Sequence, residues 1–186
     1  MIDTSILKAI LAKYKADFEK RWESECYKWK AVQHFQDNWD VDALNFKEML
    51  QKSLSETGNL LMTRSRLPRG MIEDFAGKYP EVVRGMFLNL FDESIDIVER
   101  IENFKNKSKE LFIKCGYDES KSHYQDESTI SIYLWLKYPE KYYIYRIRTI
   151  KNLGSILKFP YSFVQGKPKE NYPKFKMDFS EHWTAF

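Results

Sequence analysis

Apolar residues recur at helical spacing along most of the chain. Residues 4–19 place Ile6, Leu7, Ile10, Leu11, Tyr14 and Phe18 on one face, with Lys8, Lys13, Lys15 and Asp17 opposite. Thr4 or Ser5 can cap this stretch, which predicts an amphipathic surface helix. A second helical pattern over 21–37 brings Trp22, Cys26, Trp29, Val32 or Gln33, and Gln36 into rough register. Asp40 or Asp42 then opens a short helix through Ala43, Phe46, Met49, Leu50 and Leu54, closed near Gly58. Residues 58–70 read as a connection with Leu60, Leu61 and Met62 tucked inward. Pro68 and Pro80 sit where first-turn prolines sit and open two further helices, to Ala76 and Phe91. The longest pattern covers 93–114, with alternating charge on its exposed face, and Gly116 ends it before a polar loop over 117–127.

The chain changes character within residues 123–148. Before Pro139, Ile130, Leu134 and Lys137 fall on helical spacing, and Ser128 can cap. After it, Lys141 to Ile147 alternate β-prone aromatic and branched residues, which predicts a strand. Tyr143, Tyr145 and Ile147 would share one face of that strand, and Tyr142, Ile144 and Arg146 the other. Thr149 can cap a last short helix over 150–157. Beyond Phe159, prolines and glycines space Tyr161, Phe163, Tyr172 and Phe175 among lysines, which predicts an extended tail with one or two edge strands. The expected fold is α+β: a helical part over 4–138 packed on a small β element near residues 141–175, all in one domain spanning 1–186. The apolar residues Trp183 and Phe186 at the last positions suggest a chain cut from a longer one.

Composition sharpens this picture at two points. The aromatic share of 16% is high, so some rings can line a stacking site as well as fill the core. Net charge is only +3, but between Lys137 and Lys176 ten Lys/Arg face two acids, making that segment +8 and the remainder −5. Such a region suits a polyanion, although a solvated basic face has the same composition. Two cysteines, no secretory leader pattern and no apolar run near the ~20 residues of a membrane span point to a reducing, cytoplasmic setting.

Catalytic signatures are missing from the sequence. It contains no Gly-x4-Gly-Lys-Ser/Thr, no Gly-x-Gly-x-x-Gly and no Gly-x-Ser-x-Gly. His34, His123 and His182 lack zinc-ligand spacing, so neither a metal nor another cofactor is expected. A nuclease would have to use Glu140 beside Lys141, a pairing far more common on a solvated turn. What remains is a strip of rings and cations, the combination used on single strands and flipped bases. Lys137, Arg146, Arg148 and Lys151 are the candidate phosphate contacts, and Trp135, Tyr143 and Tyr145 the stacking candidates. Trp29 and Trp39, ten residues apart with His34 between them, either frame a second pocket or anchor their helix by filling volume.

Several strings carry a family resemblance. Tyr27-Lys-Trp-Lys-Ala-Val with Phe35-Gln-Asp-Asn-Trp39-Asp comes first. Pro80-Glu-Val-Val-Arg-Gly-Met-Phe with Leu90-Phe-Asp-Glu93 follows. His123-Tyr-Gln-Asp, Ser131-Ile-Tyr-Leu and Tyr138-Pro-Glu-Lys-Tyr-Tyr-Ile-Tyr145 complete the series. In this order, over roughly residues 10–150, they resemble the N-terminal region of bacterial McrB-like AAA+ restriction proteins. The resemblance implies a module ahead of a GTP- or ATP-hydrolysing motor that works with a separate McrC-like nuclease subunit. It implies that the module selects the DNA target, in some members by flipping a modified base, and performs no catalysis itself. The motor's Walker motifs are absent from these 186 residues. The expected function is therefore DNA target recognition in a phage-defence system. The alternative is a protein-interaction or sensor module that docks a partner subunit or a phage component.

Overall fold

The computed structural model describes residues 4–64, 66–160, 162–164 and 171. Eight α-helices run through them: α1 (Thr4–Ala16), α2 (Phe18–Asn38), α3 (Phe46–Ser53), α4 (Pro68–Lys78), α5 (Pro80–Phe91), α6 (Ile97–Lys114), α7 (Glu127–Lys137) and α8 (Ile147–Ile156). A 3₁₀ segment, Ser55–Leu60, links α3 to the connection before α4. Contacts divide the chain into two units, Tyr27–Ile144 and Met1–Cys26 with Tyr145–Phe186.

Caps and prolines set the helix ends in Tyr27–Ile144. Asn45 accepts from Glu48 N–H to open α3, Asp96 from Val98 and Glu99 N–H to open α6, and Asp126 from Thr129 N–H to open α7. Each side chain satisfies donors that the first helical turn leaves unpaired. Pro68 and Pro80 occupy the first turns of α4 and α5, as expected. Gly116, at φ 80, takes the left-handed conformation that ends α6, and its N–H bonds back to Ile113.

The core of this unit is aromatic. Phe87 of α5 is fully buried, with its ring 5.1 Å from Trp39, 5.3 Å from Phe104 and 5.2 Å from Tyr133, all edge to face. Every residue of α7 from Thr129 to Leu136 is buried. A helix that is apolar all round can only be a central one. Its polar groups are satisfied locally: Tyr133 Oη donates to Gln125 Oε1 at 2.9 Å, and Gln125 Nε2 donates to the Pro68 carbonyl at 2.7 Å. Thr129 Oγ1 donates to the Tyr124 carbonyl, fastening a turn in which Tyr124 adopts φ 59.

The α+β expectation is corrected. The fold is helical, and among the described residues there is no strand. Lys141 lies in a turn, 142–146 is irregular, and Ile147 already belongs to α8. Arg146 has strand-like dihedrals, φ −129 and ψ 107, but an extended backbone becomes a strand only with a partner to complete its ladder. Burial there does not alternate either: Tyr142 and Tyr145 are buried, three apart, while Tyr143 and Ile144 are half-buried. Side chains fix the segment instead. Arg100 Nη2 donates to Tyr142 Oη at 2.9 Å, and Lys141 Nζ bonds Glu93 Oε2 at 2.5 Å. The edge strands expected in the tail fall mostly outside the described residues.

Candidate nucleic-acid interface

α8 builds the basic face. Ile150, Gly154 and Leu157 are buried on one side, and Arg148, Lys151 and Ser155 lie exposed on the other at helical spacing. Gly154 lets two rings close on the helix: a Cβ there would stand 3.4 Å from atoms of both Phe159 and Phe163. Those rings, with Lys151 and Ser155, line a cleft of about 530 Å³.

The electrostatics of the start of α8 are one-sided. Arg146 occupies the N-cap without a side-chain cap bond, and the first turn holds no acid. Arg146, Arg148 and Lys151 are exposed and form no ion pair among the described residues. A helix N-terminus carries about half a positive charge and favours anions, so cations there oppose it. No Asp or Glu occurs between Lys141 and Lys169 to compensate. Potential from Arg146 at the N-cap, from Arg148 in the first turn and from the N–H groups of that turn therefore adds in one place, an arrangement that an incoming phosphate would relieve.

The other candidates separate in Tyr27–Ile144. Trp135 is 6% exposed, its ring 5.7 Å from that of Trp29, so it fills the core and presents no open face for stacking. Tyr143 is half-buried, and Tyr145, which opens the Tyr145–Phe186 part of the other unit, is buried. Trp29, 51% exposed, keeps an open side. Trp39 stacks on Phe35 at 5.0 Å and meets Phe46, Phe87 and Phe91 edge on. His34 is engaged between two helices. Its Nε2 is 2.8 Å from the Lys52 carbonyl and 2.9 Å from Ser55 Oγ, tying α2 to the end of α3. Glu140 is exposed on its turn, and Lys141 is engaged by Glu93.

A grouping not apparent in the sequence joins Lys137 and Trp39. Both line a cleft of about 510 Å³ with Phe91, Tyr138, Asn89 and Asp92. Three rings supply apolar walls; Lys137 Nζ lies 5.9 Å from the Tyr138 ring centroid. Asp92 is held below the usual carboxylate range by hydrogen bonds from Ser94, whose Oγ donates at 2.6 Å and N–H at 2.9 Å. The cleft thus sets aromatic walls beside one cation, Lys137, and one carboxylate, Asp92. Tyr138 was not among the sequence candidates for a site; it stands before Pro139, where α7 stops. A separate groove of about 630 Å³ lies between α5 and α6, floored by Met86 and Phe104 and edged by Asn89, Asn103 and Asn106.

Among the described residues no group of His, Cys, Asp and Glu could hold a metal ion, and no helix is long and apolar enough to cross a membrane. No protein-family model, curated protein or solved structure matches the chain.

Proposed function

We propose that the chain is a DNA-binding target-recognition module of a bacterial McrB-like restriction or phage-defence ATPase, acting in the cytoplasm and without catalysis of its own. The observation carrying this reading is the start of α8, where Arg146, Arg148 and Lys151 stand exposed near the positive end of the helix dipole, with no acid in the first turn or anywhere in the sequence between Lys141 and Lys169. Phosphate contacts there would set affinity, and the Trp39–Tyr138 cleft is the place in Tyr27–Ile144 suited to one planar base, modified or not. In this reading the partners are DNA, a C-terminal AAA+ motor in the full-length protein and a McrC-like nuclease subunit.

Fluorescence anisotropy of labelled DNA, unmodified or carrying methylcytosine or methyladenine, tests it at several salt concentrations. Binding should weaken steeply with salt, each lost phosphate contact lowering the log–log slope by about 0.9 on duplex DNA. The triple variant R146A/R148A/K151A should bind less tightly, with a slope shallower by about 3. Flat curves at low salt would overturn the reading. The protein-interaction alternative predicts docking that changes little with salt, through surfaces such as the α5–α6 groove.

A further inference from the structure

The open side of α8 carries more than its cations. The helix buries Ile150, Gly154 and Leu157. At about 3.6 residues per turn, Asn152 then falls almost directly opposite the middle of the buried side. Arg148 stands one turn before it and Ile156 one turn after, with Thr149 and Ser155 to either side; all five are exposed. The side chains of Thr149, Asn152 and Ser155 form no hydrogen bond among the described residues. Asparagine disfavours a helix interior because its side chain competes for backbone groups, and no described residue makes use of this one. The face is also free of acids, since no Asp or Glu occurs between Lys141 and Lys169. Charge complementarity therefore selects a polyanion as its occupant. No aromatic ring lies on the face, whereas single strands are gripped largely by stacking. The major groove of duplex RNA is too narrow to be read, but that of B-DNA, about 12 Å wide, admits an α-helix.

We propose that α8 is a recognition helix that enters the major groove of B-form DNA, where Asn152 reads an adenine and Ile156 meets a thymine methyl. This role presupposes that the chain binds DNA and adds a direct reading of sequence to it. An asparagine carboxamide matches adenine in the major groove, Nδ2 donating to N7 while Oδ1 accepts from the N6 amino group. Ile156 is 52% exposed and supplies the apolar contact that a thymine methyl accepts. Asn152 and Ile156 are four residues apart, about 6 Å along the axis, so the base pairs they meet lie about two steps apart. Arg146 at the N-cap and Lys151 at the flank of the face hold phosphates, which fixes the depth and register of the helix without choosing a sequence.

Selection of sites from a random duplex library by the whole chain, followed by anisotropy competition, tests this role. The recovered sites should share an A·T pair at a fixed position. Replacing that pair by G·C should weaken wild-type binding about 5- to 150-fold. Replacing its adenine by 7-deazaadenine, which lacks only the N7 acceptor, should weaken binding as well. Asn152→Ala, with helical circular dichroism retained, should bind all three duplexes alike and keep the wild-type salt slope, because Asn152 neutralises no phosphate. Salt-sensitive binding without enrichment of any sequence overturns the recognition-helix role and leaves DNA binding standing. So does a 7-deazaadenine duplex that the wild-type chain binds as tightly as its parent, an outcome that does not depend on the folding of any variant. No binding of any duplex at low salt overturns both the role and the DNA-binding reading.

Discussion

Arg100 offers the sharpest test of how the segment after α7 is held. Its side chain is buried, Nη1 donates to the Leu90 carbonyl at 2.9 Å, Nη2 to Tyr142 Oη at 2.9 Å, and Nε has no partner. Tyr142 Oη in turn donates to Glu93 Oε1 at 3.2 Å, and the guanidinium lies 5.7 Å from the Tyr142 ring centroid. Tyr142→Phe keeps the ring and its packing but removes the oxygen that links the buried Arg100 guanidinium to Glu93. A hydrogen bond to a charged group contributes about 1.5–3 kcal/mol, and a second Arg100 nitrogen would be left unpaired, so the expected loss is about 2–3 kcal/mol. By contrast Lys141→Ala removes a half-exposed ion pair and should cost under about 1 kcal/mol. Urea denaturation followed by tryptophan fluorescence reads both, since Trp29, Trp39 and Trp135 all lie in Tyr27–Ile144. A Tyr142→Phe loss under about 0.5 kcal/mol would mean that water or backbone motion re-satisfies Arg100, and that the network does not fix the segment. The same network has a pH signature. Hydrogen bonding from Lys141, the largest effect, and from Tyr142 holds Glu93 below its usual value. Its stabilisation is therefore present above the ordinary glutamate range and disappears as pH falls through the lowered folded value.

Two further outcomes follow from α7 and its approach. Asp126→Ala should cost about 1 kcal/mol by uncapping Thr129 N–H, whereas Asp126→Asn, which retains a capping oxygen, should cost little; equal losses in urea melts would place the effect in the Arg66–Asp126 ion pair instead. Burial lowers the His123 pKa, and its Nδ1 accepts from Gln125 N–H at 3.1 Å, so the folded state resists protonation. Stability should fall as pH drops from the usual histidine value through the lowered folded one, and His123→Asn should flatten that fall; an unchanged pH profile in the variant refutes the assignment.

Helix content and helix ends were largely legible from the sequence, because they rest on local chemistry. Pro68, Pro80, Pro139 and Gly116 act through their own backbone restrictions, and these hold in any surroundings. Cap identity was less secure. Asn45, Asp96 and Asp126 cap the helices where Asp40 or Asp42, a start at 93 and Ser128 were expected, since several neighbouring side chains can reach the same donors. Arg146, Arg148 and Lys151 lie exposed at the start of α8, but the expected strand-to-helix junction was placed too late: α8 starts at Ile147, three residues before the expected 150.

Whether 141–147 formed a strand could not be decided locally. Alternating Tyr and Ile satisfy a strand pattern, yet the ladder needs a second segment, and the described residues supply the buried Arg100 and Glu93 instead. Likewise Trp135 and Trp39 look alike in a sequence, and only packing makes one a buried wedge beneath Trp29 and the other a wall of an open cleft. The chain by itself determined where helices can begin and end and where its positive charge accumulates. Tertiary structure alone decided which rings face solvent and which cations stay unpaired, because both depend on residues brought together from distant parts of the sequence.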